Sequence, residues 1–99
     1  MGTVHHLDVA QAGPELAAAV DAFLAAVPNA NTARSYSVAL RALVAELGAD
    51  TPVGVLDEEA TADRIGAWFA RSWGSSATAT ANARLDGLRS AAAWWRIQD

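Results

Sequence analysis

One stretch of this chain decides its fold, and it reads Ser75-Ser-Ala-Thr-Ala-Thr-Ala-Asn-Ala-Arg-Leu-Asp-Gly-Leu-Arg-Ser-Ala-Ala-Ala-Trp-Trp-Arg96. Apolar side chains recur in it every three or four residues, which at about 100° per residue places them in one narrow stripe along a helix. The pattern therefore predicts a long helix that turns this stripe toward a core. The stripe consists of Ala81, Leu85, Leu88, Ala92 and Trp95.

The same helix carries a polar edge beside its apolar stripe. This edge consists of Thr78, Asn82, Arg89 and Arg96, whose side chains can donate hydrogen bonds to phosphate oxygens or to base edges. The helix is therefore predicted to contribute both to the core and to a binding surface.

A second amphipathic stretch lies between Asn31 and Gly48. Asn31 is predicted to cap its start, because the side-chain oxygen of Asn accepts hydrogen bonds from the free N–H groups of a first turn. Gly48 can adopt the left-handed conformation that closes a helix. Arg34 and Arg41 fall on the side away from the apolar stripe, where they face solvent or a partner. The stripe itself is Tyr36, Leu40, Leu43, Val44 and Leu47.

Two shorter stretches complete the pattern. Pro14 suits the first position of a helix that ends at Pro28. Residues 49–56 are predicted to be a loop. Asp57 is then predicted to cap another helix, which ends at Gly74. The apolar stripes of these two helices are Leu16, Val20, Phe23, Leu24 and Val27 in the first, and Ala62, Ile65, Phe69 and Trp73 in the second, with Trp68 at the margin.

These spacings predict an all-α fold, a compact bundle of four amphipathic helices at about residues 14–27, 31–47, 57–73 and 76–97. Residues 14–97 form one domain, and residues 1–13 are predicted to be a flexible leader. Because Leu88 is expected to lie in the core, Leu88→Ala should cost about 2–5 kcal/mol. The residues expected at the centre of the core are Leu40, Leu43, Ile65, Phe69, Leu85 and Leu88.

Composition limits the kinds of site that this chain can hold. Its 99 residues contain no Cys, so disulfides and thiolate metal sites are excluded. No apolar run approaches the roughly 20 residues that a membrane span needs. The adjacent pair His5-His6 lacks a third ligand and is assigned no metal. We expect a cytoplasmic protein with no cofactor, no metal and no membrane partner.

The net charge of −4 by itself argues against a nucleic-acid partner, because DNA binding depends on Lys and Arg contacts to phosphate. The charge is unevenly distributed, however. Residues 31–47 carry two Arg against one Glu, and residues 75–98 carry three Arg against one Asp, whereas the rest of the chain carries nine acidic residues against two Arg. Basic charge is therefore concentrated in the second and fourth predicted helices.

Two phrases of the sequence support a comparison with a known family. They are Asn31-Thr-Ala-Arg-Ser-Tyr36-Ser-Val-Ala-Leu40-Arg-Ala-Leu43 and Thr80-Ala-Asn82-Ala-Arg84-Leu85-Asp-Gly-Leu88-Arg89-Ser90-Ala-Ala-Ala-Trp94. Together, in this order and spacing, they resemble the N-terminal core-binding domain of tyrosine recombinases, the phage-integrase-like family. The resemblance spans about residues 14–97. The chain departs from the family pattern in its acidic net charge, its lack of Lys, and Ala at positions 91 to 93.

The resemblance implies a helical bundle that clamps duplex DNA with its second and fourth helices, next to a separate catalytic domain. Arg and hydroxyl side chains would bind mostly phosphate, and Asn82 would reach a base edge. The implied partners are double-stranded DNA and the catalytic domain or neighbouring recombinase protomers. The expected DNA contacts are Thr32, Arg34, Ser35 and Arg41 from the second helix, and Thr78, Thr80, Asn82, Arg84 and Arg89 from the fourth.

The chain is not expected to be an enzyme by itself. Tyr36 is its only Tyr, lies on the predicted buried stripe, and has no His or Arg cluster around it in the sequence. An activated nucleophile needs an adjacent base, so Tyr36 is a poor candidate for one. The family's catalytic domain is absent from this chain.

The alternative prediction is a small helical module that binds other proteins. Trp94 lies off the predicted buried stripe, and an exposed Trp is a common interface residue. The two predictions differ in electrostatics. Arg34, Arg41, Arg89 and Arg96 on one concave face would favour DNA, whereas acidic and basic residues mixed on every face would favour a protein partner.

Overall fold

A computed structural model describes residues 13–98 of the chain. The leader predicted at residues 1–13, including His5 and His6, lies outside the described residues except for Gly13. Four α-helices follow: α1 at Leu16–Ala26, α2 at Ala30–Leu47, α3 at Glu59–Trp73 and α4 at Thr78–Gln98. A short 3-10 helix at Val53–Asp57 precedes α3. No strand occurs within 13–98, so the predicted all-α bundle is confirmed.

The helix starts differ from the prediction for local reasons. Asn29, rather than Asn31, caps α2, because its Oδ1 accepts hydrogen bonds from the backbone N–H groups of Asn31 (2.9 Å) and Thr32 (3.0 Å). The 3-10 helix lies mostly in the stretch predicted to be a loop and ends at Asp57. Glu58 is extended, so α3 begins at Glu59 and Asp57 does not cap it. Gly48 closes α2 with a φ of 106°, as its position predicted.

The start of α1 is held by the segment that follows α2. Pro14 lies outside the helix, since Glu15 is extended and forms an isolated bridge with Pro52. The backbone N–H of Leu16 donates to the carbonyl oxygen of Thr51 at 2.7 Å. A tertiary contact therefore sets this helix end.

The core lies between α1, α2 and α4. Leu40 and Leu43 are buried, as predicted. The prediction is wrong for Ile65, Phe69 and Leu88, which are only partly buried at the periphery of the core. It is also wrong for Leu85, which is only partly buried. It is also wrong for Trp68, which was placed at the margin of α3 but is only 5% exposed.

Small residues explain why α4 is rotated relative to the prediction. Its buried positions are Gly87 and Ala91, about a quarter turn from the Leu85 and Leu88 stripe at 100° per residue. A Cβ atom added to Gly87 would lie 3.2 Å from the Cα of Tyr36, so α2 approaches the bare backbone of α4. Close approach of two helix backbones needs a residue without a side chain, and the apolar stripe is left on the flank.

Helices α2 and α4 run in the same general direction. Along α2, Tyr36 lies against Gly87 and also stacks on Phe23 of α1. Near the C-terminus of α4, the Nε1 of Trp95 donates to the carbonyl oxygen of Ala19 in the first turns of α1. The start of α1 also contacts the residues that follow α2. The first turns of α2 and α4 therefore lie toward the same end of the molecule.

Candidate nucleic-acid interface

The first turns of α2 carry three of the predicted contacts. Arg34 is exposed, and its Nη1 donates to the Oδ1 of Asn31 at 3.1 Å. Thr32 and Ser35 are only partly exposed, because they lie nearer the buried side of the helix. Asn31, which was predicted from the sequence only to cap this helix, is an exposed polar residue. The structure instead places it beside Arg34 on the outer face.

Arg41 lies in a different environment from Arg34. Its Nη2 is 2.7 Å from the Oδ1 of Asp21 on α1, and both side chains are more than half exposed. A pair this exposed is weak, since water and salt screen it. Even so, Asp21 competes with any phosphate for Arg41.

The five predicted residues of α4 fall on two faces. Thr78, Asn82 and Arg89 are exposed and lie within about 40° of one another around the helix axis. Thr80 and Arg84 are partly buried and lie roughly on the opposite side. The Nε atom of Arg84 is buried and has no hydrogen-bond partner. One straight duplex cannot contact both faces of α4 equally.

The exposed face of α4 also holds an acidic residue, which was not among the predicted contacts. Asp86 is exposed, and its Oδ2 accepts a hydrogen bond of 2.9 Å from the hydroxyl of Tyr36. The Oγ of Ser90 lies 3.4 Å from the same hydroxyl. Tyr36 therefore links α2 to α4 through its hydroxyl, while its ring stacks on Phe23.

Ion pairing divides the arginines of 13–98 into two groups. Arg64 and Arg71 of α3 both approach Glu46, at 3.1 and 3.7 Å, and Arg41 pairs with Asp21. Within the described residues, the arginines without an ion pair all lie on α2 and α4. They are Arg34, Arg84, Arg89 and Arg96.

Among residues 13–98, one carboxyl group has a clearly shifted pKa, and it lies outside this interface. The carboxyl group of Glu15 has a raised pKa, chiefly because it hydrogen-bonds to Asp50 and secondarily because the two carboxylates repel. The bridge between Glu15 and Pro52 brings these acidic side chains together. No group of three or more potential metal ligands occurs among residues 13–98.

Trp94 is not the exposed interface residue that the sequence suggested. Its ring is partly buried and lies 5.9 Å, centroid to centroid, from that of Phe23. The aromatic rings of Phe23, Tyr36, Trp94 and Trp95 form one cluster between α1, α2 and α4. Trp94 therefore has a structural role and does not support the protein-interaction alternative.

Comparisons with protein-family models, with curated proteins and with solved structures each find no match. In the described part of the chain, no helix is both long enough and apolar enough to cross a membrane.

Proposed function

We propose that this chain is a DNA-binding domain of the core-binding type found in tyrosine site-specific recombinases. One observation carries the proposal: within 13–98, every arginine without an ion pair lies on α2 or α4. These are the helices that the resemblance assigns to DNA. Unpaired guanidinium groups can bind phosphate without first breaking an ion pair.

The N-terminus of α2 supports phosphate binding near Arg34. This helix begins at Ala30, and its partly positive end lies about one turn from Arg34. Asn82 lies on the exposed side of α4, where its amide can reach a base edge. Thr78 and Arg89 would bind phosphates along the same side.

The proposed contacts contribute unequally. Arg34, Thr78, Asn82 and Arg89 are exposed and are the most accessible of the proposed contacts. Thr32, Ser35, Thr80 and Arg84 are less accessible, and Arg41 is shared with Asp21. With few free arginines, the isolated domain should bind near the roughly 10⁻⁴–10⁻⁶ M of non-specific association. Tight binding would need the catalytic domain or neighbouring protomers, and the domain alone would not be an enzyme.

The test is a fluorescence-anisotropy titration of duplex DNA at several salt concentrations. Arg34→Ala and Arg89→Ala should each weaken binding and make log K against log salt shallower by about 0.9, because each removes one phosphate contact. Arg71→Ala is the matched control, since it removes the same charge from α3, where Arg71 is exposed near Glu46. Its slope should equal that of the wild type.

Two results would overturn the proposal: no binding even at low salt, or equal changes in slope for all three variants. Asp21→Ala is unsuitable as a control, because Asp21 pairs with Arg41. If Arg41 contacts DNA, this substitution should strengthen binding at low salt.

A further inference from the structure

A groove of about 680 Å³ separates α3 from α4. Ile65 and Phe69 form one wall, Leu85 and Leu88 form the other, and Leu40 and Leu43 lie at its base. The walls are the two apolar stripes that the sequence predicted to be buried. Both helices are rotated by about a quarter turn, so these stripes face each other across open space.

The partial exposure of four large apolar side chains in one place is unfavourable in water. Each buried Leu, Ile or Phe side chain stabilises a protein by about 1.5–3 kcal/mol relative to exposure. Contiguous apolar surface of this kind typically marks a binding site. The groove therefore offers a ligand apolar side chains that it can cover without first displacing other groups.

The shape of the groove suits an α-helix. Along α4 its lining extends from Leu85 to Trp95, a length of about 15 Å at 1.5 Å per residue. Two helices flanking a base of leucines form the kind of channel into which an amphipathic helix places apolar side chains spaced at i, i+3, i+4 and i+7. About three turns of such a helix would cover the stripe.

Charge specifies the partner further. Among the described residues, Arg89 is the only ionisable side chain that lines the groove, and it has no ion pair with any of them. An apolar helix with an acidic residue on its flank would complete this surface, whereas one with a basic residue there would be repelled.

We infer that the groove between α3 and α4 binds an amphipathic helix of a partner protein that carries Asp or Glu beside its apolar stripe, paired with Arg89. The inference does not require the proposed DNA function. The two are linked at one residue, however, because a bound helix would cover Arg89. A partner of this kind would compete with DNA for that arginine.

Gly66 makes the test specific. It lines the groove, is exposed, and a Cβ atom built on it meets no heavy atom within 4 Å. A larger side chain can therefore be introduced there without disturbing the fold. Gly66→Glu places a carboxylate in the same groove as Arg89, and Gly66→Gln is its uncharged control of similar size.

The probe is a fluorescein-labelled helical peptide of about 14 residues with Leu at i, i+3, i+4 and i+7 and Glu on the flank, titrated with the full chain in the absence of DNA. A second peptide has Lys in place of Glu. Wild type should bind the Glu peptide saturably and more tightly than the Lys peptide. Arg89→Gln should weaken the Glu peptide by about 1.4- to 5-fold, the range for an exposed charge pair.

Gly66→Glu should bind the Glu peptide more weakly than Gly66→Gln does, and its preference should shift toward the Lys peptide. Amide shifts measured by NMR should concentrate at Ile65, Phe69, Leu85 and Leu88. The inference is overturned if neither peptide binds at about 1 mM, or if both bind equally to every variant. Saturable binding of sodium dodecanoate without peptide binding would also overturn it, since the groove would then be a lipid site. Each readout is independent of DNA binding.

Discussion

At the scale of single residues, the exposed face of α4 combines Arg89 and Asn82 with Asp86. A carboxylate on a DNA-facing surface opposes phosphate. It is retained here by its hydrogen bond from Tyr36, which connects α4 to α2. The same side chain therefore connects the two helices and, on the proposed DNA surface, would reduce the affinity for phosphate.

Asp86→Asn should strengthen DNA binding by about two- to fivefold at low salt, because it removes a negative charge near phosphate while an oxygen remains to accept from Tyr36. Anisotropy titrations of wild type and variant measure the change. Asp63→Asn is the control, since Asp63 is an exposed acid on α3. An equal gain from both substitutions would mean that net charge alone is responsible and would contradict the proposed face.

Glu15 and Asp50 make stability depend on pH. The raised pKa of Glu15 means that the folded protein binds this proton more tightly than the unfolded chain does. Its contribution is therefore most favourable when Glu15 is protonated, and it is lost as the pH rises through the folded pKa. At neutral pH the two carboxylates oppose each other.

Asp50→Asn should raise the thermal midpoint at pH 7, since it removes the carboxylate whose hydrogen bond and negative charge together raise the pKa of Glu15. The advantage should shrink as the pH falls to about 4, where carboxyl groups become protonated. Thermal unfolding followed by circular dichroism at both pH values checks this. A gain that is the same at both would show that the two groups do not interact.

At the scale of elements, the contact between α2 and α4 depends on Gly87. Because the Cα of Tyr36 occupies the space next to it, a methyl group must displace backbone or ring atoms. A Cβ atom added to Gly66 on α3 would meet no other heavy atom within 4 Å. These two helical glycines form a matched pair with opposite surroundings.

Gly66→Ala should stabilise the protein by about 0.4–1 kcal/mol, because alanine restricts the unfolded chain and favours a helix. Gly87→Ala gains the same propensity but overpacks the helix contact, which costs about 1–3 kcal/mol. Its net effect should be destabilising. Urea unfolding of both variants measures the difference, and a Gly87→Ala protein as stable as Gly66→Ala would show that α2 and α4 are not in close contact.

At the scale of the whole molecule, the core is concentrated in α1, α2 and α4, and α3 lies beside a groove. Leu40 is fully buried, whereas Leu88 lies on the groove wall. The helix α3 carries the buried Trp68, and Arg64 attaches it to Glu46 through both a side-chain and a backbone oxygen. Burial, rather than residue type, should therefore determine what each leucine contributes.

Leu40→Ala should cost about 2–5 kcal/mol, the usual range for a buried leucine. Leu88→Ala should cost about 1–2 kcal/mol, below the range expected from the sequence, because part of the side chain already contacts water. Chemical denaturation of the two variants gives both values. Equal losses would indicate that the groove is closed in solution and that Leu88 belongs to the core.

The sequence by itself determined the number of helices, their approximate bounds, and the concentration of basic residues in two of them. Periodicity and turn residues involve only a few neighbouring positions, so the helices that they specify can be recognised in the sequence. It also placed Leu40 and Leu43 correctly in the core, and Arg34 and Arg41 on the outside.

Only the tertiary structure decided which side of α3 and α4 is buried. Periodicity identifies the most apolar side of a helix, but helices pack on the side where their shapes allow the closest approach. In α4 the packed side carries the small residues Gly87 and Ala91. Tertiary contacts likewise decided that Arg41 pairs with Asp21, while Arg34 and Arg89 pair with no acid in the described part of the chain. Such pairs join residues distant in the chain, and no local pattern of the sequence specifies them.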